Sequence, residues 1–111
     1  MFDQDALMEL TDGDHELLQD LVETFLEGVP EHLRQIEEGL AAGDLEAVHR
    51  AAHALKGAVA NFSAPGAFEA ARALDDAARA GRAGELAPRF EELVAQLDKL
   101  GPALRSFAES R

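Results

Sequence analysis

His53 and Lys56 stand three residues apart, and Gly57 follows directly. On a helix, positions i, i+3 and i+4 are surface neighbours. An imidazole, an ammonium and a stretch of bare backbone would therefore meet on one face. A neutral imidazole is a good nucleophile near neutral pH, and histidine is a known covalent catalyst. A phosphoryl group on that ring would bring its oxygens within reach of the Lys56 ammonium. Two unit charges about 4 Å apart interact by up to ~4 kcal/mol at a surface-like dielectric. Gly57 costs roughly 1 kcal/mol relative to Ala inside a helix. Close approach of another macromolecule to the imidazole would give that glycine a use. Ala60, one turn further on, and His49 and Arg50, one turn before, complete the face and form a candidate docking surface with Gly57.

His49 and His53 also have the i, i+4 spacing that can put two imidazoles on one metal. A zincin needs a Glu directly after the first His. Here that residue is Arg50, and no third ligand is evident, so no metal is expected. The pairs Glu37-Glu38 and Glu91-Glu92 read as solvated helix faces rather than acid–base machinery, and His15 and His32 read as surface residues. Cysteine is absent, which excludes a disulfide framework, a Cys-ligated zinc and a thiol nucleophile.

The elements that must position His53 are helical. A short helix is expected over Gln4 to Leu10, then a turn, with Asp14 as N-cap. A second runs from Glu16 to Leu40. Its stripe of Leu18, Val22, Phe25, Val29, Leu33, Ile36 and Leu40 has helical spacing. Gly28 and Pro30 predict a kink inside it rather than two helices. Gly43 ends it and Asp44 caps the next. The third helix, Leu45 to Phe62, carries Leu45, Val48, Ala52, Leu55, Val59 and Phe62 inward. His53 falls outside that stripe and points to solvent. A fourth helix spans Ala67 to Ala80, with Ala67, Ala71, Leu74 and Ala78 as its core positions. A fifth carries Leu86, Phe90, Leu93, Leu97, Leu100, Leu104 and Phe107, and Gly101-Pro102 is expected to kink or break it. No stretch alternates with period two. The fold class is all-α: an antiparallel four-helix bundle with a short additional N-terminal helix.

The 111 residues form a single domain, 1–111. Ala (22) and Leu (16) make up most of the apolar residues, which favours helix and close helix packing. The net charge is −12, and all of it lies in residues 1–50, where 14 acidic residues face only Arg34 and Arg50. Such a chain would be repelled by nucleic acid and anionic lipid, so neither is expected as a partner. There is no signal-peptide pattern and no apolar run long enough to span a membrane. A free-standing, cytoplasmic monomer is the expectation.

The run Ala52-His53-Ala54-Leu55-Lys56-Gly57-Ala58-Val59-Ala60-Asn61-Phe62 resembles the signature of histidine-containing phosphotransfer (HPt) domains, the shuttle modules of two-component phosphorelays. The likeness extends upstream through Gly43-Asp44 and the helix of Phe25 and Pro30. Downstream it extends through Ala73-Leu74-Asp75-Asp76-Ala77-Ala78-Arg79-Ala80-Gly81, which is similar to the family's acidic, Ala-rich fourth helix. Phe62 and Ser63 stand where the family usually has Leu and Gly. The resemblance implies that His53 is the phosphoacceptor, that Lys56 stabilises the phosphoryl group and that Gly57 leaves room for a partner. It implies transfer between response-regulator receiver domains, including the receiver of a hybrid histidine kinase, without ATP-dependent autokinase activity. No cofactor is implied on this chain; Mg²⁺ would belong to the receiver. A phosphorylation-independent adaptor that binds receivers or kinases is the alternative.

Overall fold

The computed structural model describes residues 1–110, which form five helices and no strand. They are α1 (Gln4–Leu10), α2 (His15–Ala42), α3 (Leu45–Ala60), α4 (Pro65–Arg79) and α5 (Ala83–Glu109). Asp3, Asp14 and Asp44 open the first three. Each carboxylate accepts from the backbone N–H three residues on, at Ala6, Leu17 and Ala47. Such a cap typically contributes about 1 kcal/mol. Gly43 closes α2 in the left-handed region, at φ 66°, where a side chain would be strained.

The turns between α2 and α5 are only two to four residues long, so neighbouring helices run antiparallel. α2 packs on α3 and α5, and α4 packs on the same two, which closes a four-helix ring. The 28 residues of α2 rise about 42 Å, which accounts for a molecule 43 Å long and 20 by 19 Å across. The core is a column of Leu18, Val22, Ile36, Val48, Leu55, Val59, Leu74, Leu93, Leu100 and Leu104, all buried. α1 closes one end. Leu7 is fully buried, the Asp3 N–H donates to the Ser63 carbonyl at 2.9 Å, and Phe2 meets Phe107 edge-on.

Several sequence expectations shift: α2 runs over His15–Ala42 rather than ending at Leu40, and α4 starts at Pro65 rather than Ala67 and ends at Arg79. α3 stops at Ala60, two residues early, because Asn61 to Ser63 turn the chain and Ser63 takes a φ of +49°. α5 is not broken at Gly101-Pro102. Leu100, Leu104 and Ala108 anchor it in the core on both sides of the proline. Pro102 itself faces solvent, and so does Asp98, whose carbonyl loses its intrahelical donor and can be hydrated instead. Pro30 likewise lies inside a single α2.

Candidate functional site

The site starts from α4. Ala67, Ala70, Ala71, Leu74, Ala77 and Ala78 are its buried residues, and nearly all are methyl-sized. This lets α3 approach closely. Asp75 sits among them and is completely buried. A buried carboxylate needs donors for both oxygens, and α3 supplies them across the helix interface. His49 Nδ1 bonds to Oδ1. His53 Nδ1 and Lys56 Nζ both reach Oδ2, each at 3.2 Å. Burial pushes the Asp75 carboxyl up. The hydrogen bonds from His49, His53 and Lys56 together outweigh it and hold the group below the usual carboxylate range.

An ionised carboxylate only accepts hydrogen bonds. Both imidazoles must therefore present N–H at Nδ1. In neutral His53 this leaves the lone pair on Nε2, the nitrogen that faces away from Asp75. The side chain of His53 is 61% exposed, against 27% for His49 and 21% for Lys56. His53 is thus the imidazole offered to solvent.

The remaining residues of the face divide by edge. Helical geometry puts His49 and Lys56 on the α4 side of His53, and Arg50 and Gly57 on the α2 side. Arg50 is exposed and borders a depression with Gln35 and Glu38 of α2. A Cβ added at Gly57 would meet nothing within 4 Å, so the glycine does not serve packing inside this chain. Ala60 is exposed and adjoins Phe2, Pro65 and Phe68 at the α1 end. The structure thus brings His49, His53 and Lys56 together on one carboxylate. Gly57, Arg50 and Ala60 surround them without joining that cluster.

Asp75 was not among the candidate residues of the sequence, where it stood only within the acidic, Ala-rich run that resembles the family's fourth helix. A signal was present. Asp75 follows Ala71 by four residues and precedes Ala78 by three, so it continues the buried stripe of α4. A carboxylate in such a stripe must have partners on a neighbouring helix.

The closed antiparallel bundle thus presents on α3 one largely exposed imidazole, held by a buried carboxylate and flanked by a lysine and an open glycine. The chain belongs to the Hpt domain family, whose model matches residues 20–103, all of α3 and α4 with most of α2 and α5. Membership carries the family's role, histidine phosphotransfer in phosphorelays with receiver domains as the interacting class. No curated protein and no solved structure compared with the chain matches it. Among the described residues, no helix is long and apolar enough to cross a membrane.

Proposed function

We propose that His53 accepts a phosphoryl group at Nε2 from the aspartyl phosphate of one receiver domain and passes it to the aspartate of another. The observation that carries this reading is the hydrogen bond from His53 Nδ1 to buried Asp75, with the rest of the ring exposed. In the forward step the Nε2 lone pair forms the N–P bond while the acyl-phosphate P–O bond breaks. The receiver's aspartate leaves as a carboxylate. The phosphorylated ring is a cation carrying H at Nδ1, and Asp75 offsets that charge. In the return step the same N–P bond breaks and the imidazole leaves neutral. Neither direction requires a proton to move.

Lys56 supplies the second charge. Its ammonium rests on Asp75 and can turn one side-chain length toward the new phosphoryl oxygens. Phosphoryl transfer depends mainly on positioning and electrostatics, and a rigid helix face provides both. Mg²⁺ and the acidic pocket belong to the receiver in this reading, and the chain needs no nucleotide. A receiver's active site must reach Nε2 closely, and Gly57 leaves backbone alone on that side of the ring.

The test is intact-mass spectrometry after mixing the chain with phosphorylated receiver domains. Wild type should gain one phosphoryl group, labile in acid and stable in alkali, while His53→Gln gains none. Labelling of His53→Gln would overturn the assignment. No labelling of either from any donor, with receivers still binding, would favour the adaptor alternative.

A further inference from the structure

His49 has no part in the transfer as described, yet it makes a contact with Asp75 that neither of the other donors duplicates. The carboxylate has two oxygens. Oδ2 is shared by His53 and Lys56, while Oδ1 takes its hydrogen bond from His49. Asp75 is fully buried, so an oxygen deprived of His49 would have no ready replacement from water. The carboxylate would then rotate to share Lys56 between its oxygens, or take up a proton. Either response changes what His53 Nδ1 meets. His53 is the member with least to hold it, being largely exposed and anchored through one 3.2 Å bond. A free imidazole side chain in water favours the tautomer with H on Nε2, which places the lone pair on the wrong nitrogen; the partner of Nδ1 decides the matter.

We propose that His49 is a positioning residue for phosphotransfer: by holding Oδ1 of Asp75 it orients Oδ2 toward His53 and so keeps the Nε2 lone pair of His53 available. This rests on His53 being the phosphoacceptor. The role grows once the phosphoryl group is in place: with Lys56 turned toward the new oxygens, His49 and the His53 Nδ1–H are the donors that remain on the carboxylate. His49 acts through Nδ1 alone, and its Nε2 is not required.

That last point gives a sharp test. The Asn side-chain nitrogen stands at the same distance along the chain from Cα as Nδ1 of His, whereas the Gln nitrogen matches Nε2. We would prepare His49→Asn, His49→Gln and His49→Ala and record the ring ¹⁵N shifts of His53 in the unphosphorylated protein. Phosphoryl uptake from a phosphorylated receiver would be timed alongside. Wild type and His49→Asn should show His53 predominantly as the Nδ1–H tautomer and take up phosphate at rates within about twofold of each other. His49→Gln and His49→Ala should shift His53 toward the Nε2–H form and slow uptake about tenfold. Asn and Gln variants that behave alike would overturn the proposal, as would an unchanged His53 tautomer in all three. Should His49→Ala fail to fold, the Asn and Gln pair, both polar and similar in size, still decides it. The tautomer is read without any transfer, so a failure of the phosphoacceptor assignment and a failure of this inference are separable.

Discussion

At Gly57, stability and docking make opposite demands. A helical glycine is less favourable than alanine by up to about 1 kcal/mol, and a Cβ here would meet nothing within 4 Å. Gly57→Ala should therefore raise the urea midpoint by an amount worth about 0.5–1 kcal/mol while slowing uptake from a receiver. Gly57→Leu should fold as well as wild type and slow uptake at least tenfold. Unimpaired uptake by the Leu variant would show that the partner does not approach on this side. His53, Lys56 and Gly57 could be picked out of the sequence as candidates because their placement depends on spacing along one helix. Asp75 could not, because its role depends on what α3 places opposite α4. An Asp-Asp pair looks the same in sequence whether both residues are solvated or, as here, one is buried and the other pairs with Arg72 at the surface.

The helices were legible for a related reason: the inward stripes of α2, α3 and α5 repeat at helical spacing over long stretches, and Asp14 and Asp44 mark where two helices begin; the cap at Asp3 emerged only in the structure. The breaks at Gly43, Ser63 and Gly81 fall between helices as read, whereas Gly101-Pro102 does not end α5. Pro102 disrupts a hydrogen bond locally, and the core contacts of Leu100 and Leu104 override it. Glycines show the same limit. Gly39 and Gly57 both interrupt helical patterns, but a Cβ at Gly39 would lie 2.9 Å from Val48 Cγ2 and 3.2 Å from the Val48 backbone nitrogen. Only the packing of α2 on the first turn of α3 distinguishes them. Gly39→Ala should therefore destabilise the protein by about 1–3 kcal/mol, the usual result of overpacking a fixed site. Urea unfolding followed by circular dichroism would measure it. A midpoint unchanged or raised would mean that the α2–α3 junction can open without loss. The junction matters to function because it sets where α3 begins, and α3 carries all three side chains that meet Asp75.

Across the whole molecule, charge is abundant but almost all of it is solvated. The chain has 22 acidic residues, and among the described ones Asp75 is the carboxylate that is fully buried. Ion pairs such as Arg34 with Glu31 and Glu38, or Arg72 with Glu69 and Asp76, lie at the surface, where solvent screening leaves such pairs little net effect on stability. The acid limb of the stability curve should therefore carry a distinct contribution from Asp75. Its native pKa lies below the ordinary value of 3.8. A carboxylate held lower in the folded state stabilises the fold fully above its unfolded pKa, and that stabilisation disappears as pH falls through the native value. Asp75→Asn keeps the shape but cannot accept from both imidazoles and the ammonium at once. It should be less stable than wild type by about 1–3 kcal/mol near neutral pH. Below about pH 5 the gap should close, as Asp75 takes up a proton in the unfolded wild-type chain before it does so in the folded one. Self-repulsion from the net charge changes over the same range, but both proteins share nearly all of it, so the difference between them reports on Asp75 together with the groups bonded to it. Urea midpoints for the pair at pH 7, 5, 4 and 3 would trace that difference. A gap that stays constant to pH 3 would mean that Asp75 contributes no ionic stabilisation, and the fixed tautomer of His53 would then need another cause.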